Sequence, residues 1–461
     1  MIIGAVMVPH PPIAVPEIGK GEEKKIQDTL NSFEKIADYI AEQKPDTIIV
    51  TTPHAVMYRD WFNISSGAQA HGSFANYRAG SVTFDVLYDE AFTDRLTDLC
   101  EEESFPAGTQ YDRDISLDQG TMVPLYFINQ KYRDYKLVRI GLSGFPLPMH
   151  YRFGTLIQKV CQESDKRFLI VASGDLSHCE KEDGPYGFKQ EGPQYDARIM
   201  KDMGSASFEE LMKYDAAFLN KAEECGHRSF TILGGILDGL KVTPHVLSHE
   251  ATFGVGYGFV IYDIEGSDEE RHFLDRYEAE KRTLIKDKIS GSDAYVKLAA
   301  KTIREWVMFH RKPEVPKDLP KEMLNERAGV FVSIHEDGDL RGCIGTIEAV
   351  RSSIAEEIIS NAVSACSRDP RFDPVREDEL DYLEISVDVL SKAEVIQDKS
   401  LLDVKRYGVI CSMPDGRRGL LLPNLDGVDT VEEQLRIACS KGGIRESEPY
   451  IMERFEVVRH E

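Results

Sequence analysis

The sequence predicts two domains of different class, an α/β domain with a central, mostly parallel sheet and flanking helices, and then an α+β domain. In the first half, helical stretches such as residues 22–43 alternate with short apolar runs, which is typical of a sheet with helices on both faces. These apolar runs are residues 47–52, 136–142 and 167–172. The second half mixes strand-like and helix-like segments without this alternation, which favours α+β.

The length of 461 residues exceeds what one hydrophobic core usually supports, so two domains are expected. Residues 251–264 are typical of a glycine-rich strand that closes the first domain, and residues 294–309 carry apolar side chains at helical spacing. The charged segment between them lacks a wide apolar stripe. We therefore predict domains at 1–265 and 292–461, joined by a charged, partly helical connector at 266–291.

The net charge of −24 argues against a nucleic acid or an anionic membrane as partner, because phosphate binding needs clustered Lys and Arg. The N-terminus lacks a signal-peptide pattern, and no uninterrupted apolar stretch reaches membrane-spanning length. The eight cysteines are scattered, without a CxxC pair. These features predict a cytoplasmic protein with free thiols, and they are compatible with an oligomer.

Three apolar, strand-like runs in the first domain each end at a histidine. IIGAVMVPH ends at His10, DTIIVTTPH at His54, and FLIVASGDLSH at His178. In an open α/β sheet, ligands bind outside the carboxyl ends of the strands, so the three imidazoles can meet in one crevice. This pattern predicts a metal site.

A single histidine at a strand end is more often structural than a ligand, but three such endings together favour a metal. Pro and Gly residues beside the histidines restrict the backbone there and can hold the rings in place. A further donor is expected from the segment AEECGHRSF, which contains Glu224, Cys225 and His227.

The motifs VPHPP, TTPH, SGDLSH, GPYGF and FGVGYGF occur in this order over residues 1 to about 264. Together they resemble the class III extradiol ring-cleavage dioxygenases and their relatives, the Memo proteins. The resemblance implies that His10 and His54 hold a non-haem metal, usually ferrous iron. It also implies a third ligand that is acidic or, as in Memo proteins, a cysteine at the position of Cys225, and a catalytic acid or base at His178.

Two departures bear on the chemistry. Glu224 and Cys225 are adjacent; the position favours Cys225, whereas dioxygenase chemistry favours Glu224, and a thiolate makes zinc or copper alternatives to iron. The extradiol enzymes usually carry a histidine where this chain has Gln119. Gln119 is a candidate catalytic residue, because glutamine can donate a hydrogen bond to a substrate or bound oxygen, but it cannot take up a proton at neutral pH, so ordinary catechol cleavage is not expected.

The second domain carries the succession LRGCIGTIEAV, SRDPRFDPV, LEISVDVLS and GRRGLLLPNLDGVDTVEEQLRIACSKGGI. This succession resembles the AMMECR-type domain over residues 292–461. Its fusion to a Memo-like domain is similar to the AmmeMemoRadiSam arrangement. That resemblance implies a radical S-adenosylmethionine protein as a physical or functional partner.

Cys343 lies between glycines, where backbone amides can approach an anion, and Arg341 adds positive charge nearby. One interpretation is a reactive thiol at an exposed turn; the other is a small buried residue. We name Arg341 and Arg368 as candidate substrate-binding residues, although the arginines of the SRDPRFDPV segment also suit a salt-bridged loop. His249 is placed near the metal site as a further candidate.

The sequence thus predicts a cytosolic non-haem iron oxidoreductase that acts on a small aromatic or enolisable, oxygen-chelating substrate. His178 would move a proton near the metal, and Cys343 would assist from the second domain. The competing interpretations are a non-catalytic metal-binding scaffold protein and a zinc-dependent, redox-neutral lyase or hydrolase.

Overall fold

A computed structural model of the chain describes residues 1–109, 116–425, 427–445 and 447–461. The chain forms two compact units, Met1–Tyr277 and Glu278–Glu461. The domain limits expected from the sequence stay predictions. Within the described residues, none of the helices combines the length and the apolar character that crossing a membrane requires.

The first unit contains ten strands and eight α-helices among its described residues, and a ninth α-helix begins in it. The strands are β1 (Ile2–Val8), β2 (Thr47–Thr52), β3 (Phe62–Asn63), β4 (Gln69–Phe74), β5 (Ala79–Leu87), β6 (Ala107–Gly108), β7 (Lys136–Gly141), β8 (Phe168–Ser173), β9 (Leu240–Glu250) and β10 (Tyr257–Ser267). The helices are α1 (Pro16–Gly19), α2 (Gln27–Gln43), α3 (Glu90–Glu102), α4 (Gln119–Ile128), α5 (Leu147–Gln162), α6 (Glu191–Gly204), α7 (Ala216–Ala222), α8 (His227–Ile236) and α9 (Phe273–Gly291).

The main sheet of the first unit has six strands among the described residues, in the order β7-β2-β8-β1-β10-β9. The four strands from β7 to β1 are parallel, and β10 and β9 extend the sheet in antiparallel fashion. The predicted α/β class is confirmed. The sheet is mixed, because the chain returns from β9 to β10 through a short turn instead of a crossover helix.

Both faces of this sheet are buried. Along β1, Ala5 and Met7 face one hydrophobic core, while Val6 and Val8 face the other. Helices α3, α5, α6 and α8 cover the first face, and α2 and α4 cover the second. Parallel strands buried on both faces read as continuous apolar runs, which explains why the strand-like segments could be recognised in the sequence.

The second unit contains an antiparallel sheet and helices, and the predicted α+β class is confirmed. Its described strands pair in the order β12-β11-β13-β17-β15-β16, with β14 beside β17. The strands are β11 (Val330–Glu336), β12 (Asp339–Gly345), β13 (Glu384–Leu390), β14 (Glu394–Ile396), β15 (Tyr407–Ser412), β16 (Arg418–Leu421) and β17 (Ile451–His460). The helices are α10 (Ala294–Phe309), α11 (Lys321–Asn325), α12 (Ile354–Ser367) and α13 (Val431–Lys441).

Candidate metal centre

The three histidine-ended segments converge at one edge of the first sheet. Strand β8 lies between β2 and β1, and the three strands are parallel, so their carboxyl ends meet at the same edge. His10 follows β1, His54 follows β2, and the segment that leads to His178 follows β8. The convergence therefore follows directly from the strand order.

The ring orientation of His10 is held by a chain of two hydrogen bonds. Its Nδ1 lies 3.0 Å from Ser173 Oγ, and that hydroxyl donates its proton to the carbonyl of Gly120 at 2.6 Å. Because a serine hydroxyl has one proton, Oγ must accept a hydrogen bond from Nδ1–H of His10. The Nε2 atom of His10 therefore carries a lone pair, as a metal ligand requires.

His54 faces this lone pair. Its Nε2 lies 3.0 Å from Nε2 of His10. Two imidazole nitrogens at this distance repel each other unless a proton or a metal ion lies between them. Two nitrogens that each lie about 2.1 Å from one ion are separated by about 3.0 Å at a right angle and by about 3.4 Å at the tetrahedral angle. The observed distance suits an N–H···N hydrogen bond between the two rings, and it equally suits two ligands of one metal ion.

Cys225 completes the group. Its Sγ lies 3.6 Å from His10 Nε2, and the ligand atoms of His10, His54 and Cys225 all lie within 4.8 Å of one another. Cys225 also belongs to a second such group, with Asp175 and His178. Imidazole and thiolate donors suit iron, zinc and copper, so the donor set fits a transition metal.

Two glycines allow Cys225 to approach the end of β8. A Cβ atom added to Gly174 would lie 2.1 Å from the Cα atom of Gly226, so the two backbones are in direct contact. The backbone N–H of Asp175 then donates a hydrogen bond to Cys225 Sγ at 3.3 Å. The close contact of the two loops thus places the thiol beside the histidines.

Removal from water controls the protonation of these groups. Burial lowers the pKa of His10 to about 3, and desolvation also lowers the pKa values of His54 and His178. Burial raises the pKa of Asp175 to about 6 and that of the Cys225 thiol well above its ordinary value. Neutral imidazoles bind metals directly, whereas Cys225 must release its proton when a metal binds.

The structure distinguishes among the donors expected from the segment around Cys225. The Glu224 carboxylate accepts a hydrogen bond from the backbone N–H of His227 at 2.6 Å, and the buried His227 ring contacts the carbonyl of Leu211. Among the described residues, the donor group around His10 and His54 includes Cys225 and neither Glu224 nor His227. Glu224 instead accepts the backbone N–H of the first residue of α8.

His178 lies beside this centre, and Gln119 is adjacent in the chain to a residue that supports it. The His178 ring stacks on Tyr186 with ring centroids 5.1 Å apart, and its ligand nitrogen is grouped with Asp175 and Cys225. Gln119 is the first residue of α4 and precedes Gly120, whose carbonyl anchors Ser173. The His178 nitrogen is thus close enough to Asp175 and Cys225 to belong to the same candidate metal site.

His249, expected near the substrate, has a structural partner. Its Nε2 lies 2.7 Å from one carboxylate oxygen of Asp196, and the other oxygen accepts the backbone N–H of Ser177 at 2.9 Å. His249 thus links β9 to the segment that carries His178. It is absent from the donor groups found among the described residues.

Sequence reasoning assigned no role to three residues that organise the centre, Ser173, Asp175 and Asp118. Asp175 accepts the backbone N–H of His10 at 2.7 Å. Asp118 accepts the Thr52 hydroxyl at 2.7 Å and also caps α4. A serine and an aspartate at the end of a strand, and an aspartate before a helix, are sequence signals that could have indicated these positions.

In the second unit, the structure gives the surroundings of the candidate substrate-binding arginines. The Arg341 guanidinium is engaged by the carboxylate of Glu379, with Nε to Oε1 at 2.7 Å. Arg368 is exposed at the end of α12. Arg371 instead approaches Cys343 and donates a hydrogen bond to its carbonyl at 3.1 Å. Cys343 is half-buried, and its Sγ accepts a hydrogen bond from the Ser333 hydroxyl at 3.2 Å.

The first unit is thus an α/β domain with a two-histidine, one-cysteine group at the carboxyl edge of its sheet. Residues 4–260 match the family described as the catalytic LigB subunit of aromatic ring-opening dioxygenase, and residues 296–460 match AMMECR1. The chain belongs to the LigB family, which includes the class III extradiol dioxygenase and Memo type, and it carries a C-terminal AMMECR1 domain.

Several known proteins are similar to this chain over all or part of its length. Protein CA_C1420 of Clostridium acetobutylicum is 41% identical over 466 residues, which cover 99% of this chain and 98% of that protein. A Thermotoga maritima protein is 48% identical over 172 residues, or 37% of this chain and 98% of its own. The crystal structure of protein PH0010 from Pyrococcus horikoshii matches with a TM-score of 0.34 and 30% identity, covering 36% of this chain and 89% of that one.

Proposed function

We propose that the first unit is a non-haem iron oxidoreductase of the extradiol dioxygenase and Memo type. Its substrate would be a small aromatic or enolisable molecule that coordinates through oxygen. The observation that carries the proposal is the 3.0 Å separation of the two Nε2 atoms of His10 and His54, beside the Cys225 thiol. Membership of the LigB family supports the same class of reaction.

In this proposal His10, His54 and Cys225 hold the metal. When bound, iron supplies Lewis-acid and electron-transfer chemistry, and three protein ligands leave coordination positions for substrate oxygens. Ser173 keeps the proton of His10 on Nδ1, so that Nε2 stays free to bind. Asp175 holds the backbone of His10 in place and tethers Cys225 through its own N–H.

His178 is the proposed proton acceptor. Desolvation lowers its pKa, so the ring is neutral at pH 7 and can take a proton from a substrate hydroxyl. Its stacking on Tyr186 fixes the ring plane. Gln119 would donate a hydrogen bond to a bound oxygen but cannot relay a proton, so the substrate is expected to differ from a simple catechol.

The second unit, in this proposal, assists through Cys343, and the chain acts in the cytoplasm together with a radical S-adenosylmethionine protein. All eight cysteines are free in the structure, as a reducing compartment would keep them. The half-buried Cys343 thiol is accessible to a small molecule, while Cys366, Cys411 and Cys439 of the same unit are buried.

Metal analysis of protein purified without oxygen tests this proposal. We expect about one iron per chain in the wild type and loss of stoichiometric binding in His10→Ala and His54→Ala. The matched control is His245→Ala, because His245 pairs with Asp263 on strands β9 and β10. Full metal occupancy in either site variant would contradict the assignment. If the wild type binds iron as expected, its oxygen uptake with oxygen-chelating substrates is measured next.

A zinc enzyme with redox-neutral chemistry, or a metal-binding scaffold, is the second candidate. The thiol donor and Gln119 favour it, because a thiolate suits zinc and copper well and glutamine removes a titratable group. Zinc at one equivalent, with iron absent from anaerobically prepared protein, would select this alternative over the iron oxidoreductase.

A further inference from the structure

The second unit contains a cleft of about 810 Å³ over one face of its sheet. The strand β11 shows how the two faces differ. Val330, Val332 and Ile334 are buried in the core with α10 and α12, whereas Ser333 and His335 line the cleft. The cleft therefore occupies the sheet face that these helices leave uncovered, and its volume is in the range of small-molecule sites.

A bulge in β12 determines which side chains enter this cleft. Ile334 pairs with Gly342 and His335 pairs with Leu340, so Arg341 is an extra residue without a partner in the ladder. Such a bulge reverses the alternation of side chains, which places both Leu340 and Cys343 in the cleft. The Arg341 side chain instead bonds to Glu379.

The Cys343 thiol is held at the cleft wall from two sides. Its Sγ accepts a hydrogen bond from the Ser333 hydroxyl at 3.2 Å, and its backbone N–H donates to the Asp369 carboxylate at 2.9 Å. These contacts fix the direction of the thiol while leaving the residue half-buried.

Two guanidinium groups also line the cleft, and a buried carboxylate orients each of them. Arg371 binds Asp369 through Nε and Nη2 at 2.9 and 2.7 Å, and Arg459 binds Asp388 through the same atoms at 2.8 and 2.9 Å. Both carboxylates are almost fully buried, with 4% and 1% exposure, while the arginines are partly exposed. The Nη1 atoms lie outside both bidentate pairs.

Preorganised guanidinium groups recognise carboxylates well, because their donors match the two oxygens and little rotational freedom is lost on binding. The rest of the cleft is partly apolar, with Phe331, Leu340, Ile385, Leu420 and Leu422 in its lining. A ligand that suits both features has a carboxylate at one end and an apolar body. The thiol of Cys343 would lie beside it.

We propose that this cleft binds a small organic carboxylate, whose charged group contacts Arg371 and Arg459 and whose apolar body lies next to Cys343. The inference rests on the part of the proposed function that gives Cys343 a role, and it specifies the class of molecule that the second unit accepts. It requires no metal at the first unit.

Alkylation of the full-length protein tests the proposal. Iodoacetate carries a carboxylate, whereas iodoacetamide is its neutral analogue, and peptide mapping by mass spectrometry reports the rate at Cys343 alone. We expect the ratio of the iodoacetate rate to the iodoacetamide rate to exceed that of free glutathione by about tenfold, the effect of one charge-assisted hydrogen bond. 3-Phenylpropanoate should protect Cys343 saturably, and 3-phenylpropan-1-ol should not.

Arg371→Gln and Arg459→Gln should return the ratio to the glutathione value, and Arg459→Lys should retain part of it. Arg417→Gln is the matched control, because Arg417 pairs with Glu448 and Asp415 and does not line the cleft. A glutathione-like ratio in the wild type, or an unchanged ratio in Arg459→Gln, overturns the proposal. If the variants do not fold, the wild type alone tests the proposal: saturable protection of Cys343 by 3-phenylpropanoate supports it, and absence of protection overturns it.

The two proposals fail separately in this design. Loss of iron binding in the first unit leaves the alkylation ratio at Cys343 unaffected, so a normal ratio in His10→Ala protein would preserve the carboxylate cleft even if the metal assignment failed. A glutathione-like alkylation ratio in protein that binds iron normally would contradict only the proposal that the cleft binds a carboxylate.

Discussion

His10 and His54 are 44 positions apart in the chain, yet their Nε2 atoms lie 3.0 Å apart. The strand that separates them in the sheet, β8, supplies the hydroxyl of Ser173, which holds the proton of His10 on Nδ1. The strands on either side of β8, which are β1 and β2, thus lead to the two candidate ligands, and β8 supplies the hydroxyl that supports one of them.

The thiol, and not the neighbouring carboxylate, is expected to bind the metal. Cys225→Ser should lower metal affinity sharply, because a serine hydroxyl is a poor ligand for iron or zinc. Glu224→Gln should keep the metal, since an amide oxygen can still accept the N–H of His227. Titration of each apo variant with ferrous iron under anaerobic conditions gives the comparison. Equal binding by both variants would remove Cys225 from the ligand set.

Ser173 is expected to act through the tautomer of His10. Ser173→Ala should weaken metal binding by about 10–100-fold, the usual effect of losing a hydrogen-bond partner behind a histidine ligand. Ser205→Ala is the control, because Ser205 bonds to the end of α6 away from the centre. The nitrogen shifts of His10 by NMR should change in the first variant only. Unchanged shifts and unchanged affinity would show that the ring does not depend on this hydroxyl.

His178 should affect turnover more than metal content. His178→Ala is expected to retain the metal and to lose about 10²–10⁴-fold in rate, the common contribution of a general acid or base. Metal analysis alongside oxygen uptake separates the two effects. Loss of metal together with activity would identify His178 as a ligand.

The iron-loaded wild type should cleave simple catechols poorly, and rapid formation of a yellow ring-opened product would contradict the role given to Gln119.

The contact between Gly174 and Gly226 should be indispensable for the position of Cys225. Gly226→Ala would place a methyl group within 2.4 Å of the Phe230 ring and 2.9 Å of the Gly174 backbone, so the Cys225 loop must shift. Lower metal affinity and a lower melting temperature are expected. Gly291→Ala serves as the control, because no atom lies within 4 Å of its added Cβ. Wild-type affinity in Gly226→Ala would show that the centre tolerates a displaced loop.

Because of the Asp369 carboxylate, the free energy of unfolding of the second unit should decrease at acid pH. The hydrogen bonds from Arg371 hold the pKa of Asp369 well below its usual range. A carboxylate with a lowered folded-state pKa stabilises the fold fully above its unfolded pKa, near 4, and loses that contribution as the pH falls towards the folded value. In calorimetry, the wild type should therefore be more stable than Asp369→Asn, and this difference in unfolding free energy should be largest near pH 7 and shrink below about pH 4.

Asp415→Asn is the matched control for this measurement. Asp415 also pairs with an arginine, Arg417, but its side chain is about half exposed, so water screens the pair. We expect the unfolding free energy of Asp415→Asn to differ much less from that of the wild type at every pH. If the difference for Asp369→Asn stayed constant from pH 7 to pH 3, the contribution of this residue would not depend on its charge.

Both fold classes could be predicted from the sequence, as could the two histidines at the ends of β1 and β2. These features are local. A strand buried on both faces is a continuous apolar run, and a histidine behind a proline at its end is visible without knowledge of any partner. Parallel strands also place their carboxyl ends at a common edge, so the fold class predicts that His10 and His54 lie at the same edge, while the strand order β2-β8-β1 brings them together.

Only the tertiary structure determined which neighbouring residues face the metal centre and the cleft. Glu224 and Cys225 are adjacent, and their orientation depends on the contact of Gly226 with Gly174, about 50 residues away. Arg341 has the same charge as Arg371, yet the bulge in β12 turns Arg341 towards Glu379, while Arg371 is held beside Cys343 by Asp369. One residue of register reverses the direction of a side chain, and register is set by long-range packing that a local pattern does not contain.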